Sequence, residues 1–335
     1  MVSRGALVLL LGALMPLLGC SLARQAGAQE VVKLKLGTAV PRASPWREAL
    51  SVWADAVRAR SGGAIELEVS YDAQQGDETT MVGTLKAGKL DGALVTASGL
   101  SKVYKPIVAL QMPGLFSSWS KLDAARDAMR EELEKGASGA GFTVLGWFDV
   151  GWAHVMSSGF SVTSPADLQG KKPYVGRDDI IQPILFQTIG GATPVLLKSP
   201  EVLASLNSGA INVVIAPVAP AEQRQWMSKL GSVVEDPAGA VTGAVVFSSD
   251  RLKKLPAHLS AIVVETGKIV ANLLTKRLLA EDAAAFNRLK GKVTVVKLSA
   301  DEQSQWNGVF KQVRGRLAQG TFSPKLIAKL EDLAR

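Results

Sequence analysis

Residues 142–177 constrain the fold more than any other stretch. They read as a β-strand, a crossing marked by Gly151, a second strand, a capped turn at Ser164-Pro165-Ala166-Asp167 and a third strand around Tyr174. One strand–helix series precedes this stretch and another follows it. A chain that completes one α/β lobe, crosses over and begins another leaves a cleft between two lobes. Such sheets take ligands at the carboxyl ends of their strands. The sequence therefore predicts binding rather than catalysis.

The first series is regular. Residues 31–37 alternate as a strand, and Ser44-Pro45 opens a helix with Trp46, Leu50, Trp53 and Val57 on one face. Residues 64–70 alternate again, Asp77 caps a helix through Lys86, and residues 90–95 form a buried strand. This βαβαβ order predicts a parallel sheet. A charged amphipathic helix over residues 119–135 leads into the crossing stretch. Beyond it come helices over 179–189, 200–207 and 217–229, with strands over 193–196, 211–216 and 240–247. The segments Leu85-Lys86-Ala87-Gly88-Lys89-Leu90-Asp91 and Leu206-Asn207-Ser208-Gly209-Ala210-Ile211-Asn212 echo one another, which suits two related lobes and equally any repeated αβ loop.

Pro256 then starts a helical pattern that meets no breaker until Gly291. At 1.5 Å per residue it is roughly 50 Å long, enough to run across both lobes. A strand over 292–298, a capping box at Ser299–Glu302 and a last helix over 324–333 complete the chain. The expected fold is α/β: a two-lobed periplasmic-binding-protein fold with a hinge, a central cleft and a long bridging helix. Lobe I is expected to take residues 31–149 plus about 241–280, and lobe II residues 150–240 plus about 281–335.

Composition narrows the function. The 335 residues carry a formal net charge of +8, but basic residues alternate with acidic ones and no basic patch with interleaved aromatics is present. Nucleic acid is therefore not an expected partner. One cysteine and two histidines nearly exclude a zinc site. Neither His154 nor His258 lies in a nucleophile motif, and no phosphate-cradling glycine loop appears, so an enzyme is the weakest reading. No cofactor and no metal are expected.

The N-terminus carries Arg4 and an apolar run over residues 5–18, too short for a comfortable membrane span. It ends at Leu17-Leu18-Gly19-Cys20-Ser21, which resembles a bacterial lipobox. That resemblance implies a signal peptide over residues 1–20, acylation of Cys20, a flexible tether over 21–30, and a periplasmic lipoprotein held to a membrane by its N-terminal lipid. No other stretch reads as a span.

With these elements in place, the chain from about residue 31 resembles the solute-binding proteins of TRAP (tripartite ATP-independent periplasmic) transporters, of the C4-dicarboxylate-binding type. The resemblance rests on Gln75-Gly76-Asp77-Glu78, Gly88-Lys89-Leu90-Asp91, Met112-Pro113-Gly114-Leu115-Phe116, Ser164-Pro165-Ala166-Asp167-Leu168-Gln169-Gly170-Lys171, Gly191-Ala192-Thr193-Pro194, Glu201-Val202 and Gly209-Ala210-Ile211-Asn212, in that order. It implies a ligand buried between two lobes, closure on binding and no catalysis. Its main carboxylate-binding arginine matches Tyr174. A second arginine matches Ala153 and an asparagine matches Ala216, so all three polar anchors are replaced.

A buried carboxylate needs a cationic partner, because an unpaired buried charge costs several kcal/mol or more. The replaced anchors therefore predict a neutral or hydrophobic solute. The expected lining is Phe148, Trp152, Tyr174, Leu197, Ala153 and Ala216. Thr96 and Ser98 add neutral polar groups from the first lobe, and Asp149 is a further hydrogen-bonding candidate. For Phe148 and Trp152, a plain core role is as good a reading. The expected partners are that solute with either a TRAP membrane permease or a helical-repeat periplasmic protein. Two alternatives stand: an organic-acid receptor anchored by Arg177 or Arg42, and a ligand-free cell-envelope interaction module. A filled cleft would favour the last.

Overall fold

The computed structural model describes residues 31–335; Cys20 and the expected signal peptide and tether lie outside the described residues. The chain opens with β1 (Val32–Thr38), α1 (Pro45–Arg60), β2 (Ile65–Ser70), α2 (Glu78–Lys86), β3 (Gly92–Thr96) and the single turn α3 (Ala97–Leu100). Strand β1 pairs in parallel with both β2 and β3, as the βαβαβ order requires. Trp46, Leu50, Trp53 and Val57 of α1 are buried against this sheet. The Asp77 carboxylate accepts from the Thr80 N–H at 2.9 Å and so caps α2.

The amphipathic helix α4 (Trp119–Gly139) leads into β4 (Phe142–Ser157), which is one continuous 16-residue strand. The sequence predicted a strand, a crossing and a second strand here. Gly146 and Gly151 instead sit at register shifts within a single strand, where an extra residue bends the ladder without ending it.

The second lobe follows with β5 (Tyr174–Gly176), α5 (Gln182–Ile189), β6 (Val195–Leu197), α6 (Val202–Asn207), β7 (Val213–Ala216), α7 (Val218–Gln223) and β8 (Ser232–Val234). Strand β9 (Gly239–Ser248) then returns alongside β4. Near its start β4 pairs only with β9, which also pairs with β3; its far end pairs with β7 and β8. These two long antiparallel strands join the lobes in one sheet of order β10-β8-β4-β9-β3-β1-β2.

The short helix α8 (Ser249–Lys253) precedes α9 (Ala257–Leu289), the expected bridging helix of 33 residues. Its composition and length alone would suffice to cross a membrane. Its apolar face is explained by packing: Leu259, Val263, Val270, Leu274 and Leu278 are buried in the core shared with α1 and β4. The approach to β4 is close. A Cβ at Gly146 would meet the Ala271 side chain at 2.7 Å, and one at Gly151 would collide with the Asp282 carboxylate. Strand β10 (Thr294–Val296), α10 (Ala300–Leu317) and α11 (Pro324–Leu333) finish the chain.

One departure matters for function. Residues 217–229 read as a single helix, but α7 stops at Gln223. Gln225 takes a left-handed backbone (φ 61°), and a 3-10 turn over Trp226–Ser228 follows. A left-handed non-glycine residue is costly and is held only where its surroundings fix it. Here it redirects the chain immediately after Arg224. Three short elements, α3, β8 and α8, carry no signal in the sequence, because four, three and five residues cannot display a period.

Candidate ligand-binding site

A cavity of about 680 Å³ lies between the two lobes. From lobe I it is lined by the segment after β1, the loop from β2 into α2, and Ser98-Gly99 after β3. From lobe II it is lined by the loop between β5 and α5, the segment after β6, and the end of α7. It therefore opens at the carboxyl ends of parallel strands from both lobes, where α/β sheets take ligands.

Arg177 and Lys198 line this space at its rim, paired with Glu201 and Asp77, and Arg224 lines it unpaired among the described residues. Arg224 stands at the end of α7, with its guanidinium 5.8 Å from the Trp226 ring centre. Among the described residues it has no ion pair and no side-chain hydrogen-bond partner. Burial pulls its pKa below the usual arginine value, and the more distant Glu78 carboxylate opposes that shift. Tyr174 meets Trp226 edge-on, with ring centres 5.8 Å apart. Burial pushes the Tyr174 phenol up to about 12, so it stays a neutral hydrogen-bond donor.

The carboxylates in the wall are already engaged. Glu78 accepts from the Thr96 hydroxyl at 2.6 Å and the Thr96 N–H at 3.0 Å. Asp179 accepts from the N–H groups of Ile181 and Gln182, each at 2.8 Å, and holds the start of α5. Burial pushes both carboxyls above their usual range. Neither is a free partner for Arg224.

The rim carries charge across the gap. Lys198 Nζ lies 3.6 Å from Asp77 Oδ2, and Lys102 Nζ lies 3.4 Å from Asp178 Oδ1. Each pair joins one lobe to the other, and each is exposed, so each contributes about 0.2–1 kcal/mol. The double variant Lys102→Ala/Lys198→Ala should weaken ligand binding by no more than about thirtyfold, and the effect should shrink in 0.5 M salt. Titration calorimetry at two salt concentrations checks this.

The structure sorts the residues expected at the site. Tyr174, Ser98, Leu197 and Arg177 line the cavity. Arg177 is 54% exposed and lies 3.7 Å from Glu201, so it points to the rim. Thr96 sits one step behind the wall, bound to Glu78. Arg42 lies over the Tyr71 ring instead. Phe148 is in the core, edge-on to Trp46. Ala153 is buried in β4, and Ala216 pairs with His154 of β4 in the same sheet. Trp152 stacks on Trp119 at 4.4 Å and lines a separate pocket of about 300 Å³. Phe148, Trp152 and Ala153 lie within the long strand β4, and Ala216 ends β7 beside it; none of the four lines the cavity.

Asp149 is engaged structurally. It is 1% exposed and takes both Nη groups of Arg126 from α4, at 2.6 and 3.0 Å. Asp123 adds a third contact to the same guanidinium. Sequence reasoning missed Arg224, Trp226, Glu78, Asp179, Thr79 and Gln182. Arg224 directly follows α7, eight residues after the replaced asparagine position, and no local signal marks it as a site residue.

Asp282 ties the hinge parts together. Its carboxylate accepts from the Ala219 N–H at 2.8 Å and from the backbone N–H groups of Val218 and Trp152. It thereby joins α9 to β4 and to the start of α7, whose other end presents Arg224. Burial pushes this carboxyl up to about 6. Its value in the unfolded chain is about 3.9, so the native protein holds a proton that the unfolded chain releases. This contribution is full below pH 4 and is lost as pH rises through 6, by about 3 kcal/mol. Asp282→Asn should flatten that part of the slope, read from denaturant unfolding at pH 4.5 and pH 7.

Comparison with known proteins fits this geometry. The model of the DctP family, described as bacterial extracellular solute-binding protein family 7, matches residues 36–319. The chain belongs to family 7. A curated solute-binding protein from Verminephrobacter eiseniae is 25% identical over 280 residues, covering 81% of this chain and 80% of that one. The 2,3-diketo-L-gulonate-binding periplasmic protein YiaO of Escherichia coli is 24% identical over 165 residues, or 49% of this chain and 50% of that one. The chain spans 48% of the length of the uncharacterised Sinorhizobium fredii protein y4mM, at 24% identity over 84% of this chain. A TRAP periplasmic solute-binding protein from Shewanella oneidensis, solved with succinate, shares the family 7 fold. Its TM-score is 0.84 at 20% identity, over 91% of this chain and all of that one. The sugar acid binding protein of Advenella mimigardefordensis, solved with galactonate, gives 0.84 at 15% identity, over 91% and 98%. Like its family, the chain is an extracytoplasmic solute-binding protein and not an enzyme.

Proposed function

We propose that this protein captures a small organic acid between its lobes and passes it to a TRAP membrane permease. The observation that carries this reading is Arg224: an unpaired guanidinium in a cavity wall, beside a neutral tyrosine donor. A guanidinium that lines a cavity without a counterion is free to take an anionic ligand, and arginine binds a carboxylate through two parallel hydrogen bonds. The ligand carboxylate takes Arg224 through paired hydrogen bonds, and the Tyr174 hydroxyl donates to it. Tyr174 and Arg224 together fill the role of the arginine replaced at Tyr174. Relatives crystallised with succinate and galactonate, and the diketogulonate-binding relative, all take acids and support the same class.

The expectation of a neutral or hydrophobic solute depended on the lack of a cationic anchor. Arg224 removes that premise, and a helical-repeat partner loses its motive with it. An open cavity of about 680 Å³ also weighs against a ligand-free interaction module. In this reading the lobes divide at β4 and β9, the bridging strands flex as the rim pairs close, and acylated Cys20 holds the protein to the membrane.

A thermal-shift screen tests the reading. An acid present at a hundred times its Kd stabilises the native state by about 2.7 kcal/mol, which raises Tm by roughly 4 °C. Neutral isoprenoids and sterols should leave Tm unmoved. Stabilisation by those apolar molecules and by no acid would sink the proposal.

A further inference from the structure

The pocket of about 300 Å³ beside Trp152 shares no lining residue with the interlobe cavity. Trp152 and His154 line it from β4, and Asp282 and Phe286 from α9. Trp119, the first residue of α4, and Glu235, which follows β8, complete it.

The lining is aromatic and negative. Trp119 and Trp152 stack with ring centres 4.4 Å apart, and the Phe286 ring lies 5.0 Å from that of His154. Glu235 and Asp282 are its charged groups, and no lysine or arginine is in the lining. Asp282 is held by backbone N–H groups. Glu235 differs: among the described residues its carboxylate has no ion pair and no side-chain hydrogen bond. His154 Nδ1 lies 2.9 Å from the Val234 carbonyl, which only accepts, so Nδ1 carries the proton. Burial pushes the His154 pKa down, so the ring is neutral and Nε2 remains an acceptor.

Such a lining favours positive charge. The face of an aromatic ring attracts a cation. The chain already uses this at the Phe286 ring, where Lys290 Nζ lies 5.6 Å from the ring centre. Elsewhere on α9, Arg288 is held by Glu222 and Glu281. An anion would meet Glu235 and Asp282 with no lining cation to offset them. A neutral apolar molecule would take water from Glu235 and give nothing back. A metal ion finds no cluster of three ligands among the described residues.

We propose that this pocket binds a small organic cation, an alkylammonium or quaternary ammonium group, whose charge lies against Glu235 and the rings of Trp119 and Trp152. It is a second site, independent of the acid in the interlobe cavity. Its walls belong to β4 and α9, and Asp282 ties it to the start of α7.

NMR of the indole N–H groups provides the test, with the seven tryptophan signals assigned from single Trp→Phe variants. Choline is titrated against its neutral isostere, in which a tert-butyl group replaces the trimethylammonium, and against sodium chloride at equal ionic strength. Choline should shift the Trp119 and Trp152 signals with a millimolar or tighter Kd, and leave Trp226 of the interlobe cavity in place. The isostere should bind at least about tenfold more weakly. Glu235→Gln keeps the shape, removes the charge and should weaken choline by roughly threefold to tenfold. Trp119→Leu should do the same by a similar factor, with the remaining indole signals reporting that each variant is folded. Equal shifts from the isostere or from sodium chloride overturn the proposal. So does a choline titration that leaves Trp119 and Trp152 unmoved or moves Trp226 instead, or an affinity unchanged in both variants.

Discussion

Replacing Arg224 with alanine should weaken binding of the acid ligand by roughly 30-fold to several thousandfold. Truncating one partner of a buried, hydrogen-bonded charge pair costs about 2–5 kcal/mol, much of it from leaving the other charge unpaired. In Arg224→Ala the ligand carboxylate would enter a cavity whose remaining donor nearby is the Tyr174 hydroxyl. Arg224→Lys should fall between, because an ammonium keeps the charge and loses the two-pronged geometry. The ligand-free protein should behave differently. Burial already disfavours the Arg224 cation there, and no partner is lost when it is removed. Its unfolding free energy should therefore stay within about 1 kcal/mol of the parent, or rise. Large loss of binding without loss of stability is what an anchor predicts and a structural arginine does not.

The other arginine gives the opposite pattern. Arg126→Ala should destabilise the protein by about 3–5 kcal/mol, because it leaves the Asp149 carboxylate buried and unpaired in β4. For a chain of this size that corresponds to a fall in Tm of roughly 4–8 °C. The pair is replaceable as a unit. Arg126→Met/Asp149→Leu removes both charges together and should recover most of the loss. Neither residue lines the cavity, so the change should appear in unfolding curves and much less in ligand affinity. Strong destabilisation by Arg224→Ala, with little from Arg126→Ala, would mean that the two roles are reversed.

The framework of the fold was legible because its signals are periodic and local. Trp46, Leu50, Trp53 and Val57 announce the buried face of α1, and the run from Pro256 to Gly291 announces the bridging helix. Asp77 and the Ser299–Glu302 box mark helix starts that the structure places at the same residues. The site was less legible. Tyr174 is found because the neighbouring Ser164–Gly170 motif fixes its position. Phe148, Asp149, Trp152 and Ala153 share the crossing strand, and alternation along β4 cannot say which of them reach the cavity. Asp149 is taken by a helix 23 residues earlier in the chain, a contact with no local trace. Arg224 was hidden differently. Nothing in Glu222-Gln223-Arg224-Gln225-Trp226 announces a left-handed residue at Gln225. Read as a continuing helix, the segment makes Arg224 one more solvated cation. The turn comes from tertiary packing, and with it comes the anchor.

Native mass spectrometry tests the central claim most directly. The mature protein, purified gently from cells without denaturation, is sprayed intact and its bound molecule is identified, in parallel with Arg224→Ala. The account predicts an organic acid on the parent protein and an empty Arg224→Ala variant of the same stability. An apolar molecule carried equally by both proteins would contradict it.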